Sequence, residues 1–492
     1  MFQLAPSKPL SYLYLFTLLL FASCHENENT PDVNDNSLLF KSFVFEKSNN
    51  PELEEDIVFT IQDDVVNGEI RSYNYNLIPT FTSNAVAVQI NGKEQTSGKN
   101  TVDFRESVIY KLQSASGSIK EYKININWDT QLAQVKIKTS SGASITSKED
   151  YLEGSVSFEG QSKYDDLTST GKFKGRGNTT WGLPKKPYKI KLDSKEEVFG
   201  LKPEKDWVLL ANYLDGTHLL NAVAMKIGQL LDMPFTNTMI PVEVTINEEY
   251  LGLYMLTEQV EVKTNRVDVD DAGILLNLDT NYDEEWQFKS KGFALPVTLK
   301  YPEPEDVTGF TVVKDQFESL EEVIASEDFP NTDYLDYIDA NSIANYIIVY
   351  MLTDNQEINH PKSTYIHKAS TGKFTMGPIW DFDWAFGYEG TQEHFSRYNT
   401  PIFWSSPAKG TQFFSKFLKD PKIKALMKEN WTNFQANNFN ELLDYIDEYA
   451  FIIQGAKNRD YQVWNRNGAD VKTLKNWLDN RATYMTGFIN NL

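Results

Sequence analysis

The hydrophobic pattern changes period along the chain, and that change limits the folds open to it. From Leu38 to Trp128, short β-branched and aromatic runs are separated by turn residues: Phe43-Val44-Phe45, Ile57 to Ile61, Ala85 to Ile90, Ser107 to Leu112 and Tyr122 to Asn127. Asn91-Gly92 and Ser116-Gly117 are turn signals between them, so the segment reads as a small β-sandwich over residues 38–130. It holds no constellation of catalytic side chains and is expected to act as a spacer. Beyond Thr130 the pattern mixes. Gln134 to Lys138, Ser155 to Phe158 and the strictly alternating Tyr188 to Leu192 predict strands. Leu219 to Leu231 has helical spacing, opened by Asp215 or Thr217 and stopped before Pro234. Val242 to Ile246 and Tyr250 to Leu256 flank the polar Asn247-Glu248-Glu249 as a hairpin. Asp339 can cap a helix that puts Ile343, Tyr346, Ile347, Tyr350 and Met351 on one face. After about residue 410 the chain reads as helical, and no internal repeat interrupts it. Strands first and helices second predict an α+β domain of two lobes over residues 131–492.

The first residues concern address. One lysine, Lys8, precedes the apolar stretch Tyr12 to Ala22, and no acid appears before Glu26. A bilayer span needs about 20 apolar residues, so residues 1–23 read as a secretory signal peptide. Cys24, the only cysteine, follows the small residues Ala22-Ser23 and resembles the lipidated cysteine of bacterial lipoproteins. The Asn-, Asp- and Glu-rich stretch His25 to Ser37 completes a solvated tether, residues 24–37. It is similar to the acidic tails of surface-exported lipoproteins of Bacteroidetes-like bacteria. The expected location is therefore the bacterial envelope, at the outer membrane and cell surface, with the membrane met through a lipid at Cys24.

Charge and thiol count remove several functions. With 47 basic and 69 acidic residues the formal net charge is -22, which opposes general nucleic-acid binding. One cysteine and five histidines cannot build a disulfide or a zinc knuckle, so any metal is expected on oxygen ligands. Neither His-Glu-x-x-His nor Gly-x-Ser-x-Gly occurs.

Three segments carry chemistry. Lys172-Phe173-Lys174-Gly175-Arg176-Gly177-Asn178 is a basic glycine loop without the Gly-Lys-Ser/Thr of a P-loop. Its Arg176, with Lys189 and Lys191 on one face of the next strand, could neutralise phosphate oxygens. Tyr254 to Val260 runs from a strand into a connector whose backbone could pair with an adenine. The third segment delivers Asp354 and Asn359, then the strand Ser363 to His367, then Trp380-Asp381-Phe382-Asp383-Trp384. If extended there, Asp381 and Asp383 point to one side, and their repulsion calls for a cation such as Mg2+. Asp354 and Asn359 have the spacing of a kinase catalytic loop, although no His-Arg precedes Asp354 and Asp383 replaces the glycine of Asp-Phe-Gly.

Arg176-Gly177-Asn178-Thr179-Thr180-Trp181 with Lys185-Lys186-Pro187-Tyr188-Lys189, Asp206 to Asn212, Tyr250 to Tyr254 with Glu258, and Trp380 to Gly387 together resemble the CotH family of spore-coat and surface proteins over about residues 132–490. That resemblance implies a divergent protein-kinase-like fold and, as in the spore-coat members, ATP- and divalent-cation-dependent phosphorylation of serine in other proteins. By position it implies Asp381 as principal metal ligand, with Asp383 and Asn359 as helpers and Asp354 as the catalytic carboxylate. Arg176 and either Lys189 or Lys191 would meet the phosphates, and Glu258 would belong to the cofactor site. The helix Leu219 to Leu231 has no glutamate to pair with a phosphate-binding lysine. The preceding segment resembles the immunoglobulin-like modules that accompany such domains.

The resulting expectation is a surface-anchored serine or threonine kinase using ATP and Mg2+ on a protein substrate that the sequence does not name. Two other readings remain open: a non-catalytic adhesin or binding lipoprotein, and a nucleotide-sugar glycosyltransferase using Asp381-Phe382-Asp383 as an Asp-x-Asp motif.

Overall fold

The computed structural model describes residues 38–492 except 73, 162, 283, 392 and 404–406. The expected signal peptide, the tether and Cys24 lie outside the described residues. The chain forms two units, one of residues 38–68 and 76–127, the other of 69–75 and 128–492.

The first unit is all β. A three-stranded sheet centres on Phe40–Phe45, and a larger one centres on Val108–Gln113 and Ile119–Trp128. Alternation puts Phe43 and Phe45 on the inner side, and a bulge between Phe40 and Ser42 brings Phe40 to the same side. The Phe40 ring lies 5.1 Å from Tyr122 and 5.8 Å from Tyr110, so the two sheets meet across aromatic edges. Asn91 and Gly92 both take positive φ, 48° and 77°, the geometry a two-residue hairpin turn needs.

In the second unit, seven strands close into a barrel: β1 (Ala133–Thr139), β2 (Leu152–Glu159), β3 (Leu167–Gly175), β4 (Tyr188–Val198), β5 (Leu201–Leu210), β6 (Ile240–Ile246) and β7 (Glu249–Glu258), in the order β1-β2-β3-β4-β5-β7-β6. Closure pairs β6 with β1 in parallel and leaves no free sheet edge. The interior takes every second residue, among them Val135, Ile137, Phe173, Ile190, Leu192, Trp207 and Leu256. The expected strands at Gln134, Ser155 and Tyr188 and the 242–256 hairpin are all part of it. Lys172 to Gly175, read from sequence as part of a glycine loop, is the end of β3.

The barrel is followed by a five-stranded sheet and helices. The sheet contains β8 (Ile274–Leu278), β9 (Gln287–Lys289), β10 (Pro296–Tyr301), β11 (Thr364–Lys368) and β12 (Thr375–Met376), in the order β9-β10-β8-β11-β12. Helix α1 (Leu220–Leu230) lies between barrel strands in the chain; α2 (Val307–Ala325) and α3 (Ala340–Thr353) precede β11, and α4 (Lys409–Phe417), α5 (Pro421–Asn437), α6 (Phe439–Trp464) and α7 (Val471–Asn490) end it. Helix α3 opens where Asp339 accepts the Ser342 N–H at 2.6 Å, as its sequence predicts. Nearly every residue of α3 is buried, so it is a core helix and not an amphipathic surface one. Val208 and Leu210 on the outer side of β5 pack with Val260, Leu275, Tyr365 and Trp380, which seats the barrel against the second sheet. Among the described residues no helix is long and apolar enough to cross a membrane.

A buried ionic hub fastens the barrel to α6. Asp460 accepts from Lys185 Nζ and, at 2.9 Å, from the Leu253 N–H, while His218 Nε2 stands 3.3 Å away. Gly252 makes this possible: its φ is 94°, and a Cβ there would meet the Asp460 carboxylate at 2.3 Å. Burial pulls Lys185 down to about 8 against the opposing pull of Asp460. Removing one partner of such a pair strands the other charge, at a cost of about 3–5 kcal/mol. Asp460→Asn should therefore lower unfolding free energy by about that amount in denaturant titration; a loss under about 1 kcal/mol would mean that the hub does not hold the halves together.

Candidate functional site

The site is assembled by three turns whose geometry comes from their own side chains. Helix α3 stops at Asp354, whose φ of 49° is left-handed. Asn355 then accepts the Glu357 N–H at 3.1 Å and starts a 3-10 turn, Gln356–Asn359. After β11 and β12 the chain enters Trp380-Asp381-Phe382-Asp383. Asp381 is not extended, as alternation predicted, but left-handed, with φ of 66°, a conformation seldom taken by residues other than glycine. Phe382 is fully buried, as expected.

Asn221 on α1 clamps that turn from outside. Its Oδ1 accepts the Phe382 N–H at 2.9 Å, and its Nδ2 donates to Asp383 Oδ1 at 2.6 Å. One amide thus satisfies a backbone donor and a carboxylate together. Asn355 Nδ2 donates to the Asp381 carbonyl at 3.2 Å, and Ser363 Oγ to Asp381 Oδ2 at 3.4 Å.

Asp381 and Asp383 line a cavity of about 270 Å3 together with Arg176, Asn221, Glu357 and Asp279. Burial, then the charge of Asp381, pushes Asp383 up to about 7. Burial also raises Asp381, opposed by Arg176 and reinforced by Asp279. Glu357 is raised well above the usual carboxylate range by burial and by Asp381. The compensating cations are Arg176, whose guanidinium lies 5.4 Å from the Trp380 ring, and Lys362, 3.7 Å from Glu357 and 4.7 Å from the Trp384 ring. Gln259 and Val260, from the connector after β7, also line the cavity, as do Leu210 and Met239. Among the described residues, no three acidic or histidine side chains close into a metal cage. Adjacent oxygen donors under mutual repulsion nevertheless suit a hard divalent cation that shares its shell with a phosphorylated ligand.

The other residues singled out from sequence are engaged elsewhere. Asp354 accepts from Gln356 and pairs with Arg481 at 3.1 Å; burial raises it to about 6 against the Arg481 charge. Asn359 is buried, donating to the Ile402 carbonyl at 2.7 Å and accepting from Thr411. Lys189 and Lys191 do share a strand face, but it is the outer face of the barrel, where Lys189 pairs with Asp206 at 2.9 Å. Glu258 accepts the Thr238 N–H at 2.8 Å. None of these five belongs to the cavity wall. Sequence reasoning missed Asn221, Asp279, Glu357 and Lys362. Glu357 stood three residues from Asp354 in the same loop; Asp279 and Asn221 lie too far away in the chain to be grouped without the fold.

The model of the family described as CotH kinase protein matches residues 173–485, which is more than half of the chain. The chain belongs to the CotH kinase family. The match to this CotH chain spans β3 to α7 and so includes every cavity residue named above. No curated protein matches it. A crystal structure titled a "putative glycoside hydrolase" from Bacteroides thetaiotaomicron is 14% identical, covering 59% of this chain and 89% of that one, with a TM-score of 0.15. That score is too low to support an argument about fold or chemistry.

The carboxylate shifts have a definite sign. An unfolded aspartate titrates near 3.9, whereas Asp383 and Asp354 are pushed up to about 7 and about 6. At these two groups the folded chain therefore binds more protons than the unfolded one between about pH 4 and 7. Their contribution to stability is fully present below that window and is lost as the pH rises through it. In cation-free buffer the melting temperature of the wild type should fall relative to that of Asp383→Asn between pH 5 and pH 8; parallel profiles would remove Asp383 as a source.

Proposed function

We propose that this chain is a Mg2+-dependent protein kinase that transfers the γ-phosphoryl group of ATP to serine or threonine hydroxyls of envelope or extracellular proteins. In this reading the barrel and the helical part are the two lobes of a kinase-like domain, and the first unit is an immunoglobulin-like spacer. A lipid at Cys24 would hold the protein at the outer-membrane surface. The observation that carries the reading is the meeting of Arg176, the Asp381/Asp383 turn and the Gln259–Val260 connector around one cavity in a CotH-family chain.

Each wall has a part. The connector backbone at Gln259 and Val260, with the apolar Leu210 and Met239 lining the same cavity, suits the edge and faces of an adenine. Gly177, with φ of 82°, turns the chain next to Arg176 and leaves backbone close to the cavity. Arg176 offers a fork of donors for phosphate oxygens, and Trp380 under its guanidinium holds that fork in place. Asp381 and Asp383 would hold Mg2+, which when bound neutralises charge on the transferring phosphate. Asn221 keeps Asp383 oriented through its 2.6 Å bond. Lys185 also lines the wall, but its Nζ is committed to Asp460, so Arg176 is the principal phosphate contact in this proposal.

The soluble chain should transfer label from γ-labelled ATP to protein in the presence of Mg2+, and Asp381→Asn should reduce transfer at least roughly 100-fold. Mg2+ with a nonhydrolysable ATP analogue should raise the wild-type melting temperature by mass action and leave Asp381→Asn almost unmoved. Equal transfer by both proteins would overturn the proposal. No response to nucleotide would favour the binding-protein reading, and a response to a nucleotide sugar in place of ATP would favour glycosyl transfer.

A further inference from the structure

The kinase-loop spacing points to Asp354 as the carboxylate that handles the acceptor hydroxyl, but the fold directs that side chain elsewhere. Asp354 is the left-handed cap of α3, and its carboxylate lies against Arg481 and Gln356. Arg481 is fully buried and also donates to the carbonyls of Met351, Tyr398 and Thr400 at 2.6, 2.9 and 2.7 Å. The pair thus ties α7 to the end of α3 and to the 398–400 segment. Freeing Asp354 would leave the Arg481 charge buried and unpaired.

Three residues on, the 3-10 turn presents a different carboxylate to the cavity. Glu357 lines the same cavity as Asp381 and Asp383 and lies close enough to feel their charge. Its backbone N–H is fixed by Asn355 Oδ1 at 3.1 Å, and the same Asn355 donates to the Asp381 carbonyl at 3.2 Å. Asn355 therefore sets the distance between the two turns. The Glu357 carboxylate has Lys362 at 3.7 Å, beyond hydrogen-bond range. It is the cavity's carboxylate from the catalytic-loop segment, while Asp354 and Asn359 from that segment are spent on Arg481, Ile402 and Thr411.

We infer that Glu357 is the catalytic residue that orients the acceptor hydroxyl, and that Asp354 is a structural residue. The inference rests on the kinase reading proposed above. The acceptor oxygen forms a bond to the γ-phosphorus while the bond from that phosphorus to the β,γ-bridging oxygen breaks. ADP leaves with the electron pair of the broken bond, and the hydroxyl proton passes to the Glu357 carboxylate. Lys362, at 3.7 Å, attracts that carboxylate without being hydrogen-bonded to it.

The experiment compares the wild-type chain with Glu357→Gln, Glu357→Asp and Asp354→Asn. It measures label transfer from ATP to dephosphorylated casein and to the chain itself, together with melting temperature with and without Mg2+ and a nonhydrolysable ATP analogue. Glu357→Gln should keep the nucleotide-induced rise in melting temperature and the KM for ATP, and lose about 100-fold or more in kcat. Glu357→Asp keeps the carboxylate and should recover part of that loss, which a purely structural role would not produce. Asp354→Asn should instead lower the melting temperature in the absence of ligand. Transfer by Glu357→Gln within tenfold of an active wild type would overturn this assignment and leave the kinase reading standing. So would loss of transfer in Asp354→Asn at an unchanged melting temperature. A wild-type chain that neither transfers label nor responds to nucleotide would take both proposals down together.

Discussion

Buried charge shapes this chain in two ways: Asp460 and the Asp354–Arg481 pair are matched by opposite charge within the fold, while Asp381, Asp383 and Glu357 crowd one cavity. Carboxylates taken out of water repel one another more strongly as the local dielectric falls, and a protein bears them only with counter-charges or hydrogen bonds. Asp460 has both, in Lys185, His218 and the Leu253 N–H, and its carboxyl stays below the ordinary range in spite of burial. Asp381, Asp383 and Glu357 are all raised instead. Arg176, Lys362 and Asn221 soften the repulsion without cancelling it. Asp460 is thus paired within the fold, whereas the cavity carboxylates add mutual repulsion to the cost of burial.

The paired charges also explain why the site can bear that repulsion. The Asp381 turn is positioned by Asn221 on α1 and by Asn355 at the end of α3, so its geometry depends on both helices holding their places. His218, just before α1, belongs to the Asp460 hub. Arg481 anchors the end of α3 through Asp354 and the Met351 carbonyl. Strain at a left-handed aspartate, of order 1–3 kcal/mol, persists only where surrounding structure over-determines it. Here that structure is the pair of charged anchors behind the two asparagines.

Much of the strand pattern was legible because side-chain alternation is a local property. Tyr188 to Leu192, Gln134 to Lys138 and the 242–256 hairpin are strands for the reason their sequences state: every second residue enters the barrel. Barrel closure was not legible, because it depends on the parallel pairing of β1 with β6, about a hundred residues apart, and no periodicity encodes a partner at that range. The same limit hid the meaning of Lys189 and Lys191. Alternation put them together on one face, and only closure makes that face the outside.

The site divides along the same line between local and distant information. Asp381, Asp383 and Arg176 were found because their motifs are contiguous, and the cavity contains all three. Asp354 and Asn359 have a kinase loop's spacing, yet spacing fixes distance along the chain and not direction in space. A left-handed residue at 354 sends its side chain to Arg481, a partner 127 positions away. The absence of a glutamate in α1 has the same lesson from the other side. That helix does reach the site, but through the neutral amide of Asn221, which binds a peptide N–H and a carboxylate at once. A glutamate there would add negative charge beside Asp383, where burial already makes charge costly. The missing ion pair is thus what a helix facing an acidic turn requires, and an amide is the side chain that can serve both of its partners.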